Sequence, residues 1–139
     1  MPCRCGGHAP LVHETERAVL DRYVNAWQRQ DLGALLDCYA DDFTLHYMGD
    51  SPLAGTHRGR DAAVAVLAEA SQRATRTLLG VDDVMVGDGC GAVVVRERLE
   101  RDGGAHELRR VLRYRIDEVG LRECWLLDED QALVDRLWS

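Results

Sequence analysis

The sequence predicts an α+β domain with its helices gathered on one face of a sheet. Three observations predict it. Apolar residues recur at helical spacing in the first third of the chain, strand-like runs separated by turn signals fill the second half, and a short helical pattern closes it. At 139 residues, with 46% hydrophobic and 29% charged content, the chain fits one domain with room for a core and a pocket inside it.

The elements follow in order. From Glu14 to Arg29, Val19, Leu20, Tyr23, Val24 and Trp27 share one face of a first helix. The stretch "QDLGALLDCYADD" restarts with Asp31 as N-cap and carries a second helix to about Tyr39. "FTLHYM" reads as a strand, "GDSPLAGTHRG" as a loop of turn formers, and "RGRDAAVAVLAEASQRA" as a third helix rich in Ala. Four antiparallel strands come next: "TLLGVDDVMVG", "GAVVVRERLER", "AHELRRVLRYRI" and "LRECWLLD". The turns "DGCG", "DGG" and "DEVG" separate them, and "EDQALVDRLW" is the closing helix. Residues 1–12 read as a flexible tail and 13–139 as the folded domain.

Composition removes several function classes. No apolar run approaches the roughly 20 residues a membrane helix needs. The start "MPCRCGGHAP" lacks a signal-peptide pattern, so a cytoplasmic location without membrane association is expected. A net charge of -7 opposes non-specific nucleic-acid binding. All 17 basic residues are Arg, which removes Schiff-base chemistry and the phosphate-loop lysine. None of Ser51, Ser71 and Ser139 sits in a nucleophile elbow. The five Cys are scattered and read as free thiols. Cys3, Cys5, His8 and His13 lie close in sequence, but Cys-x-Cys is not the usual spacing of zinc ligands, so no metal site is expected there.

The aromatic first helix ending near Asp31, the "YADD" entry to the strand, the "SPLAG" loop with "RGRDA" opening the third helix, and the late "ECW" together resemble the nuclear transport factor 2-like superfamily, in particular its SnoaL-like branch. The resemblance covers residues 14 to 139. It implies a cone: a curved antiparallel sheet wrapped around three N-terminal helices, with a short C-terminal helix and an apolar pocket between sheet and helices. It also implies homodimers through the outer face of the sheet. The superfamily includes ketosteroid isomerase, polyketide cyclases, scytalone dehydratase, limonene epoxide hydrolase and non-enzymatic binding domains, so the fold alone names no reaction.

In ketosteroid isomerase an Asp base moves the proton while a Tyr and a protonated Asp hold the oxyanion. Laid on this chain, the oxyanion tyrosine falls on Tyr23, the base on Tyr47 and the protonated acid on Leu112. Both carboxyls are missing, which disfavours steroid isomerisation by that route.

Strand alternation offers a replacement. Val93, Val95, Glu97 and Leu99 share one face, as do Leu108, Arg110, Leu112, Tyr114 and Ile116 on the next strand. A two-residue loop at Gly103 and Gly104 would set Glu97 opposite Arg110 and Leu99 opposite Leu108. The pair is then either a buried structural ion pair or a pocket acid/base beside a ligand anchor. Tyr23, Tyr47 and His46 complete the candidate catalytic set as hydrogen-bond donors, with Tyr47 facing inward and His46 outward or toward the loop. Trp27, Leu112 and Tyr114 are candidate ligand contacts beside Arg110. Cys124 and Trp125 lie on opposite faces of the last strand, and one of them lines the pocket. The loop after "FTLHYM" is expected to shape the mouth. Arg96, Arg98, Arg109, Arg113 and Arg115 share the opposite face, an expected dimer surface.

The resemblance, taken with these residues, implies cofactor-free acid/base chemistry on a hydrophobic, oxygenated, polyketide-like metabolite, namely cyclisation, isomerisation or dehydration. The alternative is a non-catalytic ligand-binding dimer of the same fold.

Overall fold

Hydrophobic alternation along four long strands dictates the architecture, because each must bury one face. The computed structural model describes residues 12–139; the proposed tail and its Cys3, Cys5 and His8 lie outside the described residues. The helices are α1 (Glu14–Gln28), α2 (Leu32–Asp37), α3 (Arg60–Arg73) and α4 (Gln131–Trp138). The strands are β1 (Tyr39–Tyr47), β2 (Gly55–Arg58), β3 (Thr75–Gly87), β4 (Cys90–Arg101), β5 (Gly104–Asp117) and β6 (Gly120–Asp128). They form one sheet in the order β2-β1-β6-β5-β4-β3, with α1, α2 and α3 packed on its inner face.

Two expectations need correction. The sheet is mixed rather than wholly antiparallel: β1 lies parallel to β6, with Leu45 beside Cys124 and Tyr47 beside Leu126. Parallel neighbours need a long crossover, and here residues 48–119, about half the chain, supply it. The second correction concerns the loop after β1. Its end forms β2, which pairs with β1 as an edge strand, and none of residues 48–58 lines the internal cavity. The loop is tied instead to α4, where Asp135 accepts from the Asp50 amide at 3.1 Å and Gln131 donates to the Met48 carbonyl at 3.3 Å.

Helix boundaries follow local chemistry. The Asp31 side chain accepts the Ala34 amide at 3.1 Å and caps α2. Asp130 does the same for Leu133 at the start of α4. Between β4 and β5 the turn is Asp102–Gly103, with φ of 53° and 80°, the left-handed pair a two-residue hairpin requires. That turn is one residue earlier than the expected loop, so Glu97 faces Leu108 and Val95 faces Arg110. The register differs by two residues, and an even shift keeps every side chain on its expected face. Glu97 and Arg110 become diagonal rather than direct neighbours.

The core lies between α1 and the inner faces of β4, β5 and β6. Val93, Val95, Leu99, Leu108, Tyr114 and Ile116 are buried as the alternation predicts. α1 packs closely on the sheet at Gly91, where a Cβ would stand 2.4 Å from Leu20 Cδ1. At the other end, Trp138 is buried and the last turn of α4 is clamped by Arg73, which donates to the Trp138 carbonyl at 2.5 Å, and by Arg101, which donates to the Leu137 and Ser139 carbonyls.

Candidate functional site

Between the sheet and the three N-terminal helices lies a cavity of about 550 Å³. Its walls are mainly apolar: Ala26 and Trp27 from α1, Leu35 and Leu36 from α2, Val64 and Leu67 from α3, and Phe43, Leu45, Leu112 and Leu126 from the sheet. Exposed Gln30, Asp31 and Leu32 on one side, and Ala68 and Ser71 on α3, mark the mouth. Apolar walls with a few convergent polar groups are the usual make-up of a small-molecule site.

The polar groups form two clusters. In the first, Arg110 and Glu97 are 1% and 2% exposed and both line the cavity. The Arg110 guanidinium donates to Glu97 Oε1 at 3.0 Å, to Asp128 Oδ1 at 2.5 Å and Oδ2 at 3.2 Å, and to the Tyr47 hydroxyl at 3.4 Å. Burial alone would lower the Arg110 pKa, but the charges of Asp128, Tyr47 and Glu97 outweigh it and the net direction is upward. The other Glu97 oxygen, Oε2, is 3.6 Å from Nη2 of Arg76 at the start of β3. Two carboxylates therefore meet two guanidiniums, and the charges balance.

In the second cluster, Tyr23 on α1, Tyr39 on β1 and Tyr114 on β5 converge with Cys124 on β6, and all four line the cavity. The Tyr23 and Tyr39 hydroxyls are 3.4 Å apart, and the Tyr23 and Tyr114 rings meet edge-on at 5.3 Å. Burial pushes Tyr23 and Cys124 up to about 12 and raises Tyr39 and Tyr114 well above the ordinary phenol value. All four stay protonated at neutral pH and can donate hydrogen bonds.

The candidate residues thus separate. Glu97, Arg110, Tyr23, Trp27, Leu112, Tyr114 and Cys124 meet at the cavity. Tyr47 faces inward as expected, but it lies behind Arg110 and does not line the space. His46 and Trp125 lie on the outer face, which answers the choice between Cys124 and Trp125 in favour of Cys124. The His46 ring stacks on Trp125 at 4.9 Å, its Nε2 meets Glu123 at 2.5 Å, and its Nδ1 meets Thr56 at 3.1 Å. Strand alternation causes this: His46 sits one residue from Leu45 and Trp125 one from Cys124. His46 does not line the cavity.

Sequence reasoning missed Asp128, Arg76 and Tyr39. Asp128 continues the inward series Cys124, Leu126 and sits directly opposite Arg110, so alternation alone carried the signal. Arg76 carried none, since bulges interrupt β3 between Leu78 and Gly80 and again between Val81 and Asp83. Tyr39 was hidden at the expected end of α2. Among the described residues no cluster of metal-binding side chains occurs.

A model of the SnoaL-like domain matches residues 20–121. The chain belongs to this family. The SnoaL-like chain is 29% identical over 130 residues to the uncharacterized protein Rv0034 of Mycobacterium tuberculosis, covering 90% of this chain and 99% of that one. Among solved structures, a protein of unknown function with a cystatin-like fold from Xanthomonas campestris matches with a TM-score of 0.82 at 23% identity, over 88% of this chain and 97% of that one. A candidate SnoaL-like polyketide cyclase from Jannaschia sp. CCS1 matches with a TM-score of 0.72 at 14% identity, over 97% and 99%. At these identities the likenesses establish the SnoaL-like fold and leave its chemistry to the site.

Proposed function

We propose that the cavity binds a hydrophobic, oxygenated metabolite of polyketide type and that Glu97 moves a proton next to its carbonyl without a cofactor. One observation carries this: Glu97 is a buried carboxylate on the cavity wall with one oxygen held by Arg110 and the other, Oε2, only loosely engaged. In the step, the C–H bond beside the carbonyl breaks and its proton goes to Oε2. The electron pair forms the carbon–carbon double bond, and the carbonyl electrons move onto oxygen. Return of the proton elsewhere gives isomerisation; attack of the enolate carbon or loss of a leaving group gives cyclisation or dehydration. Arg110, fixed by Asp128 and Tyr47, is the positioning residue for Glu97, and Tyr23 is a donor to ligand oxygen. The naming of a similar structure as a candidate polyketide cyclase agrees with this class.

The test uses 2-tetralone, an enolisable bicyclic ketone, in D2O, with α-proton exchange followed by NMR. The protein should accelerate exchange, and Glu97→Gln should return it to background while keeping the native circular dichroism spectrum. Exchange at the wild-type rate in the Gln variant would remove Glu97 from the mechanism.

A second reading has its own support. The Arg110 guanidinium commits four hydrogen bonds to Asp128, Glu97 and Tyr47, as in a structural ion pair. In that case the pocket holds a ligand without chemistry, and 2-tetralone would bind with no exchange above background. In either reading a homodimer through the outer sheet face is proposed, because Val94, Val111 and Leu127 form a continuous apolar row across β4, β5 and β6 there, flanked by Arg96, Arg109 and Arg113.

A further inference from the structure

Three buried side-chain polar atoms among the described residues make no hydrogen bond of normal geometry: Arg76 Nε, Trp138 Nε1 and the Tyr114 hydroxyl, which interacts with Tyr23 and Cys124 only outside that geometry. Arg76 and Tyr114 both line the cavity, and Trp138 does not. A buried donor without a partner carries a desolvation penalty that a ligand oxygen can remove. The two cavity donors are far apart along the sheet. Arg76 stands beside Leu99 and Tyr114 beside Gly91, near opposite ends of β4. The two donors are thus rooted at separate positions on the sheet, and each calls for an acceptor of its own.

We infer that the ligand carries oxygen at two separated positions, one an acceptor received by Arg76 beside Glu97 and the other received by Tyr114 among the tyrosines. The identity of the first oxygen follows from charge and rests on the acid/base reading above. Arg76 can only donate, so it requires an acceptor. The two guanidiniums already balance Glu97 and Asp128, so a neutral carbonyl fits better than an added anion. When Glu97 takes the proton, negative charge passes from its carboxylate to the carbonyl oxygen, and both ends of that transfer face Arg76. The net charge of the cluster and ligand is unchanged through the step. Arg76 is thereby the donor that stabilises the developing enolate. Tyr114, protonated and edge-on to Tyr23, orients the distal oxygen and sets the direction in which the ligand lies.

Three bicyclic probes separate the two positions: 6-hydroxy-2-tetralone carries both oxygens, 2-tetralone only the ketone, and 6-hydroxytetralin only the phenol. Binding to the full chain is read from the emission of Trp27, the one tryptophan lining the cavity. The doubly oxygenated probe should bind about tenfold tighter than either single one, as one satisfied buried hydrogen bond implies. Arg76→Met should abolish the preference for the ketone and leave 6-hydroxytetralin unaffected. Arg76→Lys, which keeps the charge and lacks Nε–H, should lose most of the same preference and stands in if the Met variant does not fold. Tyr114→Phe should abolish only the preference for the phenol. A ketone preference that survives both Arg76 substitutions, equal binding of all three probes, or binding of none overturns the inference. The exchange assay separates the two claims. Exchange that depends on Glu97 with no ketone preference lost at Arg76 leaves the acid/base reading standing and this inference refuted. A ketone preference lost at Arg76 without exchange by the wild type supports the recognition and removes the chemistry.

Discussion

At the scale of single residues, Arg110 decides whether the inner sheet holds together. It is 1% exposed and neutralises Asp128 and Glu97, whose side chains are equally hidden. Arg110→Met would leave Asp128 buried without its counter-charge and Glu97 with Arg76 alone at 3.6 Å, and removal of one partner of a buried pair costs about 3–5 kcal/mol. Denaturant unfolding should show that loss, and the triple change with Glu97→Gln and Asp128→Asn should recover most of it. A single variant within about 1 kcal/mol of wild type would mean that the cluster relaxes to solvent. On the outer face, Glu123 behaves differently. The hydrogen bond from His46, joined by Arg115 at 3.2 Å, outweighs partial burial and holds its carboxyl below the ordinary value of 4.5. A depressed acid stabilises the fold above its unfolded pKa and loses that contribution as pH falls through the folded value. Wild type should therefore exceed Glu123→Gln by about 1 kcal/mol at neutral pH, with the gap closing below pH 4.5. A gap that widens in acid would contradict this assignment.

At the scale of elements, the parts written in local periodicity were legible. The face shared by Val93, Val95, Glu97 and Leu99 and the face shared by Leu108, Arg110, Leu112, Tyr114 and Ile116 are buried as alternation requires. The two-residue difference in hairpin register did no harm for the same reason. What was not legible depends on partners distant in sequence. The parallel contact of β1 with β6 joins strands separated by about half the chain, and β2 reads as a loop because its partner is β1 and its composition is Gly55, Thr56, His57 and Arg58. Arg76 was invisible because a bulged edge strand has no fixed alternation. The close approach of α1 gives a test of this packing. Gly91→Ala would drive a Cβ to 2.4 Å from Leu20 Cδ1 and 2.9 Å from the Met85 carbonyl, and overpacking of this kind costs about 1–3 kcal/mol. Gly33→Ala on exposed α2 meets nothing nearer than Asp31 Oδ1 at 3.8 Å and should stabilise by roughly 0.5–1 kcal/mol. Thermal unfolding should move the two midpoints in opposite directions; movement the same way would show that helix and sheet are not in the contact described.

At the scale of the whole molecule, the two faces of the sheet divide the work. The inner face carries the cavity and its charges, while the outer face combines the apolar row of Val94, Val111 and Leu127 with a band of arginines. Arg113 lies 4.8 Å from the Trp125 ring, and Leu127 is 43% exposed. An apolar centre rimmed by guanidiniums is the composition of a protein interface rather than of a solvated face. The chain nevertheless carries a net charge of -7, so two copies repel at long range and the proposed dimer would rest on the apolar row and short-range pairing. Salt screens the repulsion more than it weakens burial. Light scattering should therefore give a dimer mass at low salt that persists or strengthens at high salt, and Val111→Glu in the middle of the row should give a monomer that keeps the cavity and its binding of 2-tetralone. A monomer mass for the wild type at both salt concentrations, or dissociation of a dimer by salt alone, would reject the apolar row as the contact.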